Sequence, residues 1–389
     1  SNGRIVLSHS QTNDVQNNYI YCNIMTNLAQ AFYFYYTDDI SFINNTIINA
    51  KCSDMGSAIY TKEDGNGNTL QISNCVFSNC RGKRGSIIYI NGLGSDINIE
   101  KSTFTDCKNL EIDGSFIRIG VQKNKKITFT ECNFVYLESC SSNGGVGILI
   151  DDVTIDTFTR CVFKHINHNH NSIGGGALAY ESSKSDLIID NCTFYNITDS
   201  HNGGAIYFNS KDKYLKVDKC YFEQTKSSVD GHSICILASN TYTITISDSH
   251  FTDCGSLANT YVININSANF DFFNNEITFN DPLNSCGCIK SNKYQEHNYR
   301  NNLFKNAHVD FESNSAGIDE SNSAGSNKIE ITNNIFDGIS GPSEGRCFYV
   351  KYPKDSTGLI ISGNIVQNCP AGGIFIKLLF ETQLNEFVF

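Results

Sequence analysis

Histidine and aspartate make the densest chemical cluster in this sequence. His165-Ile166-Asn167-His168-Asn169-His170 sets three imidazoles close together, and Asp199-Ser200-His201 follows 31 residues after His168. If the two segments stack in register, His168 meets Asp199 and His170 meets His201. His and Asp at one point are ligand types that suit a transition metal. A solvated polar turn is the competing reading of His168, His170, Asp199 and His201. A second set, Tyr89, Arg118, Tyr207 and Tyr349, sits between apolar neighbours. Aromatic and guanidinium groups on a rigid strand face can stack on sugar rings or anchor a protein partner. Ordinary strand tyrosines are the alternative, and Ala179, Cys235 and Asn264 interrupt the row.

Other constellations are fragments. Gly231-His232-Ser233 and Asp151-Asp152 are single pieces of a pectin-hydrolase pattern, in the wrong order. Arg118 has no evident acid cluster in neighbouring segments, as a lyase base would need. Cys286-Gly287-Cys288 stands alone without any CxxC pair, so a structural zinc knuckle is not indicated. No cofactor is expected.

These residues are positioned by a repeated phrase, Leu70-Gln71-Ile72-Ser73-Asn74-Cys75-Val76-Phe77. Its frame returns from Ile97 to Phe104, Ile127 to Phe134, Leu187 to Phe194, Leu215 to Phe222, Ile244 to Phe251 and Ile329 to Phe336, with weaker copies between. The closing apolar residues recur every 26 to 32 residues from Ile20 to Val366. A fixed period of this size means a solenoid, whose repeats bury their apolar faces only against each other. Alternation within the phrase is the signature of a half-buried strand. Asn74, and Asn at the same place in other copies, interrupts it. Asn tolerates the left-handed backbone, so two short strands joined by a sharp bend are expected.

The residue after the bend is always small or an amide: Asn18, Asn45, Cys75, Ser102, Cys132, Cys161, Cys192, Cys220, Ser249, Asn275, Asn302, Asn334 and Asn364. Stacked Asn side chains there would form a ladder, with Cys filling the same slot as a small apolar group. A second ladder is expected at Asn49, Asn79, Asp106, Asn196, Asp253, Asn306 and Asn368. A further strand, introduced by Gly, follows in most repeats, as in Gly204-Ala205-Ile206-Tyr207-Phe208. The fold class is therefore all-β, a single-stranded right-handed parallel β-helix of about 13 coils with 26–32 residues per coil. Residues 1–377 form the repeat domain and 378–389 a C-terminal cap or truncated continuation.

Composition narrows the function. The net charge of −11 is scattered, which argues against a nucleic-acid partner. No apolar run reaches the length of a membrane span, so membrane attachment is expected only through segments outside this chain. Sixteen cysteines allow disulfides such as Cys75–Cys80 or Cys132–Cys140, or a set of buried free thiols. Cys132, Cys161, Cys192 and Cys220 are expected to be reduced, because parallel in-register side chains point the same way. Asn44, Asn191 and Asn196 begin N-glycosylation triplets.

The phrases Gly203-Gly204-Ala205-Ile206 and Gly175-Gly176-Ala177-Leu178, paired with Phe-led phrases, resemble the repeats of polymorphic outer-membrane proteins. These occur in chlamydial adhesins and in surface families of trichomonad protists. In Phe77-Ser78-Asn79-Cys80 and Phe251-Thr252-Asp253-Cys254 the amide or acid falls two residues after Phe, where that family has it three after. The resemblance implies surface display and adhesion. The expectation is a non-enzymatic cell-surface or extracellular ectodomain, an adhesin or rigid stalk, with a host or cell-surface protein or glycan as partner. The alternative is a secreted β-helix that binds or cleaves carbohydrate.

Overall fold

The computed structural model describes residues 5–8, 12–22, 25–28, 31–35, 39–62, 69–83, 86–91, 96–109, 116–120, 126–139, 148–151, 155–169, 174–181, 186–210, 213–237, 242–255, 260–266, 269–281, 285–292, 296–308, 317–322, 328–341, 347–352, 358–370, 376–380 and 387–388. They form a parallel β-solenoid with three long sheets running its length. The first sheet collects the opening strand of each phrase, such as Leu70–Ser73. The second collects the strands after the bend, such as Val76–Ser78. The third collects the Gly-introduced strands, such as Ile88–Asn91. The first and third sheets each hold fourteen strands. The expected thirteen coils fall short because Ile5–Ser8 precedes the first phrase, while Ile376–Phe380 and Phe387–Val388 extend the third and first sheets past the last one.

The phrase sets the register. Leu70 pairs with Ile97, Ile72 with Ile99, and Phe77 with Phe104, all in parallel. Their side chains are fully buried, while Gln71 between them is exposed. Phe77, Phe104, Phe134, Phe163, Phe194, Phe222 and Phe251 make one internal column. Successive ring centroids lie 4.6 to 5.0 Å apart with planes 2° to 6° from parallel. That spacing matches the rise between parallel strands, so each ring lies directly on the next.

The bend after the first strand is left-handed in each repeat from Asn17 onward, with Asn74 at φ 53°. Lys101, Glu131, Arg160, Lys219 and Asp248 take it where Asn is absent. The second expected ladder falls on a second left-handed corner, where the Asn79 amide donates to Oδ1 of Asn49 in the preceding coil. Asn49, Asn79, Asp106, Asn196, Asp253, Asn306 and Asn368 all have positive φ there and lie exposed or half-buried.

The slot after the first bend is interior and bifunctional. The backbone N–H of Asn302 donates to Oδ1 of Asn334 at 3.0 Å, and the Asn302 amide donates to the carbonyl of Phe272 at 2.9 Å. Cysteine repeats the pattern: the N–H of Cys161 donates to Sγ of Cys192 at 3.3 Å, and that thiol donates to the carbonyls of Phe158 and Asp190. Serine does the same, as where the N–H of Cys75 donates to Oγ of Ser102 at 3.1 Å. The slot therefore demands a small group that both accepts and donates. Cys is there as a hydrogen-bonding stand-in for Asn, more than as apolar filler. The fifteen described cysteines are free, Cys75 and Cys80 included, while Cys140 lies outside the described residues.

Candidate functional site

The third sheet arranges one outward column along the rod. Its strands alternate, with Ile88 and Ile90 buried inside and Tyr89 between them facing out. Register carries this position from coil to coil through Tyr33, Tyr60, Tyr89, Arg118, Leu149, Ala179, Tyr207, Cys235, Asn264, Lys290, Asp319 and Tyr349. All four strand residues singled out from the sequence, Tyr89, Arg118, Tyr207 and Tyr349, thus lie in one lane. They are not equally open. Tyr89 and Arg118 are half-buried, whereas Tyr207 and Tyr349 are only 6% and 8% exposed. A side chain at Gly175 would meet Cβ of Tyr207, and one at Gly56 would meet Cβ of Tyr89 in the same way.

The lane's first segment is an aromatic stack. Tyr33 and Tyr60 lie 5.1 Å apart and Tyr60 and Tyr89 5.5 Å apart, with planes within 30°. The Arg118 guanidinium sits 5.9 Å from the Tyr89 centroid. Tyr33 and Tyr89 are half-buried and Tyr60 between them is only 5% exposed, so the row presents ring edges and a cation on a backbone that does not need to reorganise. Tyr33 and Tyr60 extend the set read from the sequence. Their signal was present in Phe32-Tyr33-Phe34 and Ile59-Tyr60-Thr61, each an outward residue between inward neighbours.

The far segment is polar. The Tyr261 hydroxyl donates to Oδ2 of Asp319 at 2.7 Å, and both residues are fully buried. The ring reaches Asp319 by crossing Gly287, where a Cβ would collide with it. Lys290 stands 5.4 Å from the ring centroid. Asp230 accepts from the N–H of Tyr261 at 2.8 Å and from the Asn264 amide at 3.0 Å. Burial raises the Asp230 carboxyl above its ordinary pKa, against the N–H of Gly231 and the Lys290 charge. Burial and the neighbouring Asp319 hold the Tyr261 phenol well above its usual range. The residues come from four different coils, so spacing along the chain gave no warning of them.

The histidine cluster is assembled in part. His168 pairs in register with Asp199, as the repeat count expects, and its Nδ1 lies 2.9 Å from Oδ2 with both side chains fully buried. The N–H of His201 donates to the other Asp199 oxygen at 2.6 Å. His170 lies outside the described residues. The pair belongs to an inward polar column of Asn109, Ser139, His168, Asp199 and Ser227. It therefore faces the interior of the solenoid. Burial raises the Asp199 carboxyl, and His168 opposes that rise. Among the described residues no three His, Cys, Asp or Glu side chains converge as metal ligands.

The chain matches no protein-family model and no curated protein.

Proposed function

We propose that this chain is a rigid, non-catalytic β-helical ectodomain, an adhesin or stalk displayed at a cell surface or secreted, and that it holds its partner along the outward lane of the third sheet. The observation that carries this reading is the Tyr33–Tyr60–Tyr89 stack ending on Arg118. A preorganised row of ring edges loses little conformational freedom on binding. It suits a glycan chain or an extended protein segment on the partner surface. The likeness of the Gly203-Gly204-Ala205-Ile206 phrase to polymorphic outer-membrane repeats supports the same assignment. The test is binding of the isolated chain to a glycan array and to cultured cells, with Tyr60→Ala and Tyr89→Ala alongside. Loss of binding in both variants is expected. Equal binding by wild type and variants, or none by any of them, removes the lane from consideration.

The second reading, a polysaccharide-cleaving β-helix, is favoured by one observation: Asp230 and Tyr261 gather against the lane residues Lys290 and Asp319. Acid–base chemistry needs groups held in mutual reach with shifted pKa values. Incubation with pectate, alginate, chondroitin and xylan, with and without calcium or zinc, distinguishes the two. The adhesin reading expects no cleavage. Cleavage abolished by Asp319→Asn establishes the enzyme.

A further inference from the structure

The second left-handed corner carries an irregularity that the lane does not explain. In most coils this corner is an amide, a carboxylate or glycine, as at Asn79, Asp106, Asn196, Asp253 and Gly338. In two consecutive coils it is Tyr136, at φ 54°, and His165, also at φ 54°. His is tolerated in this region, but a bulky ring such as Tyr is an outlier. Backbone strain of this kind concentrates where a side chain has a task.

The two rings do not turn inward to gain burial. Tyr136 is 56% exposed. They stack on each other outside the wall, 4.8 Å between centroids and 12° from parallel. Tyr195 of the next coil meets His165 edge-on at 5.4 Å, and Lys164 covers the Tyr195 ring at 4.9 Å. The Asn196 amide lies 2.9 Å from Nδ1 of His165. An amide N–H donating there leaves the imidazole proton on Nε2, as a donor on the rim of the platform. Burial and Lys164 lower the His165 pKa, which favours the neutral ring. The nearest carboxylate on the same strand, Glu138, is already paired with Lys108 at 2.8 Å.

We infer that Tyr136 and His165 form a carbohydrate-binding platform, separate from the lane, that takes a neutral pyranose ring. The Tyr136 face turned away from His165 receives the axial C–H groups of such a ring, and amide and imidazole N–H groups at the edge bind its hydroxyls. A neutral sugar fits because the Glu138 carboxylate on the same strand is already closed in an ion pair with Lys108. The platform lies on the second sheet and the lane on the third, so a long glycan or two separate chains can engage both.

The proposal makes stability and binding move in opposite directions. Tyr136→Asn installs the residue found at this corner in Asn49, Asn79 and Asn306, and it relieves the strained backbone. The midpoint of thermal unfolding should rise. Binding of neutral hexasaccharides of β-linked glucose or N-acetylglucosamine, measured by titration calorimetry on the full chain, should weaken on the order of tenfold, as expected for one lost stacking contact. Tyr136→Phe keeps the ring and should keep the affinity. Tyr242→Ala, an exposed ring outside both the platform and the lane, should leave this affinity unchanged. A lower unfolding midpoint in Tyr136→Asn makes the ring a packing element and overturns the inference. So does unaltered affinity in that variant, or absence of binding by the wild type to every neutral hexasaccharide tested.

Discussion

The phenyl rings of Phe163 and Phe194 lie face over face, 5.0 Å between centroids and 2° from parallel, although they are 31 residues apart in the chain. The contact exists because the intervening coil returns to the same corner. Phe163→Ala would open a cavity between two packed rings, at a cost of about 3–5 kcal/mol. In a one-dimensional array the damage is local, since each coil touches only its neighbours. Hydrogen exchange should accelerate first in the strands around Phe134 and Phe194. An unchanged denaturation curve would remove the column from the account of stability.

The interior slot predicts a ranking at Cys192. Cys192→Ala leaves the N–H of Cys161 without its acceptor at 3.3 Å, deep inside the wall. A buried donor without a partner costs about 1–3 kcal/mol. Cys192→Ser keeps both an acceptor and a donor and should stay within about 1 kcal/mol of wild type. Equal destabilisation by Ala and Ser would mean that thiol volume, not hydrogen bonding, decides the slot.

Thiol reactivity follows from the same geometry. Burial pushes the Cys75 thiol up to about 11 and raises Cys192 as well, while the contact with Cys161 and then burial raise Cys132. Thiolate is the reactive form, so Cys132, Cys161 and Cys192 should resist alkylation in the folded chain, and Cys220, buried like them, should be shielded from the reagent. Unfolded without reductant, all four should take the label, read by intact mass and peptide mapping. Quantitative cross-links among them contradict the arrangement.

The register was legible in the sequence because each phrase announces its own phase. The closing Phe residues pair with one another, and even the His168–Asp199 contact followed from counting between coils. The far segment of the lane was not legible. Tyr261 and Asp319 are 58 residues apart and meet only because Gly287 leaves the ring a path over the intervening coil. Nor did alternation reveal how much of the lane is covered. It shows that Tyr207 points away from the core, but not that the residue is only 6% exposed. The left-handed corners at Lys101, Glu131 and Arg160 escaped for a different reason. Stacked neighbours impose the bend on residues with little preference for it.

Acid should weaken the fold through His232. Its Nδ1 accepts the N–H of Ser227 at 3.0 Å, and its Nε2 lies 2.6 Å from the Thr260 hydroxyl. Burial is the main cause that lowers its pKa to about 4. An unfolded His titrates near 6.5. Between these values the unfolded chain binds the extra proton and the folded chain does not, so stability rises with pH across that window. The full contribution is present above it. Lowering pH from 7 to 4 should withdraw about 3 kcal/mol from this group. His232→Asn should flatten that part of the pH profile. A slope identical to wild type between pH 4 and 6.5 assigns the acid sensitivity elsewhere.

The crossing of Tyr261 over Gly287 gives the sharpest structural test. Gly287 has no left-handed torsion to explain it, and an alanine backbone would fit there. The three atoms nearest to a side chain placed there all belong to the Tyr261 ring. Gly287→Ala should therefore cost about 1–3 kcal/mol, the usual range for overpacking. Much of that cost arises because the displaced phenol no longer donates to buried Asp319. Tyr261→Ala removes the obstacle and strands the same carboxylate, so it is costly alone. In the double variant the added methyl meets no ring, and the second substitution should cost almost nothing. Neighbours that share a contact are expected to be non-additive by about 0.5–3 kcal/mol. Strict additivity across the cycle means that Gly287 is glycine for some reason other than the ring, and that the polar end of the lane is held together by Asp230 and Lys290 without it.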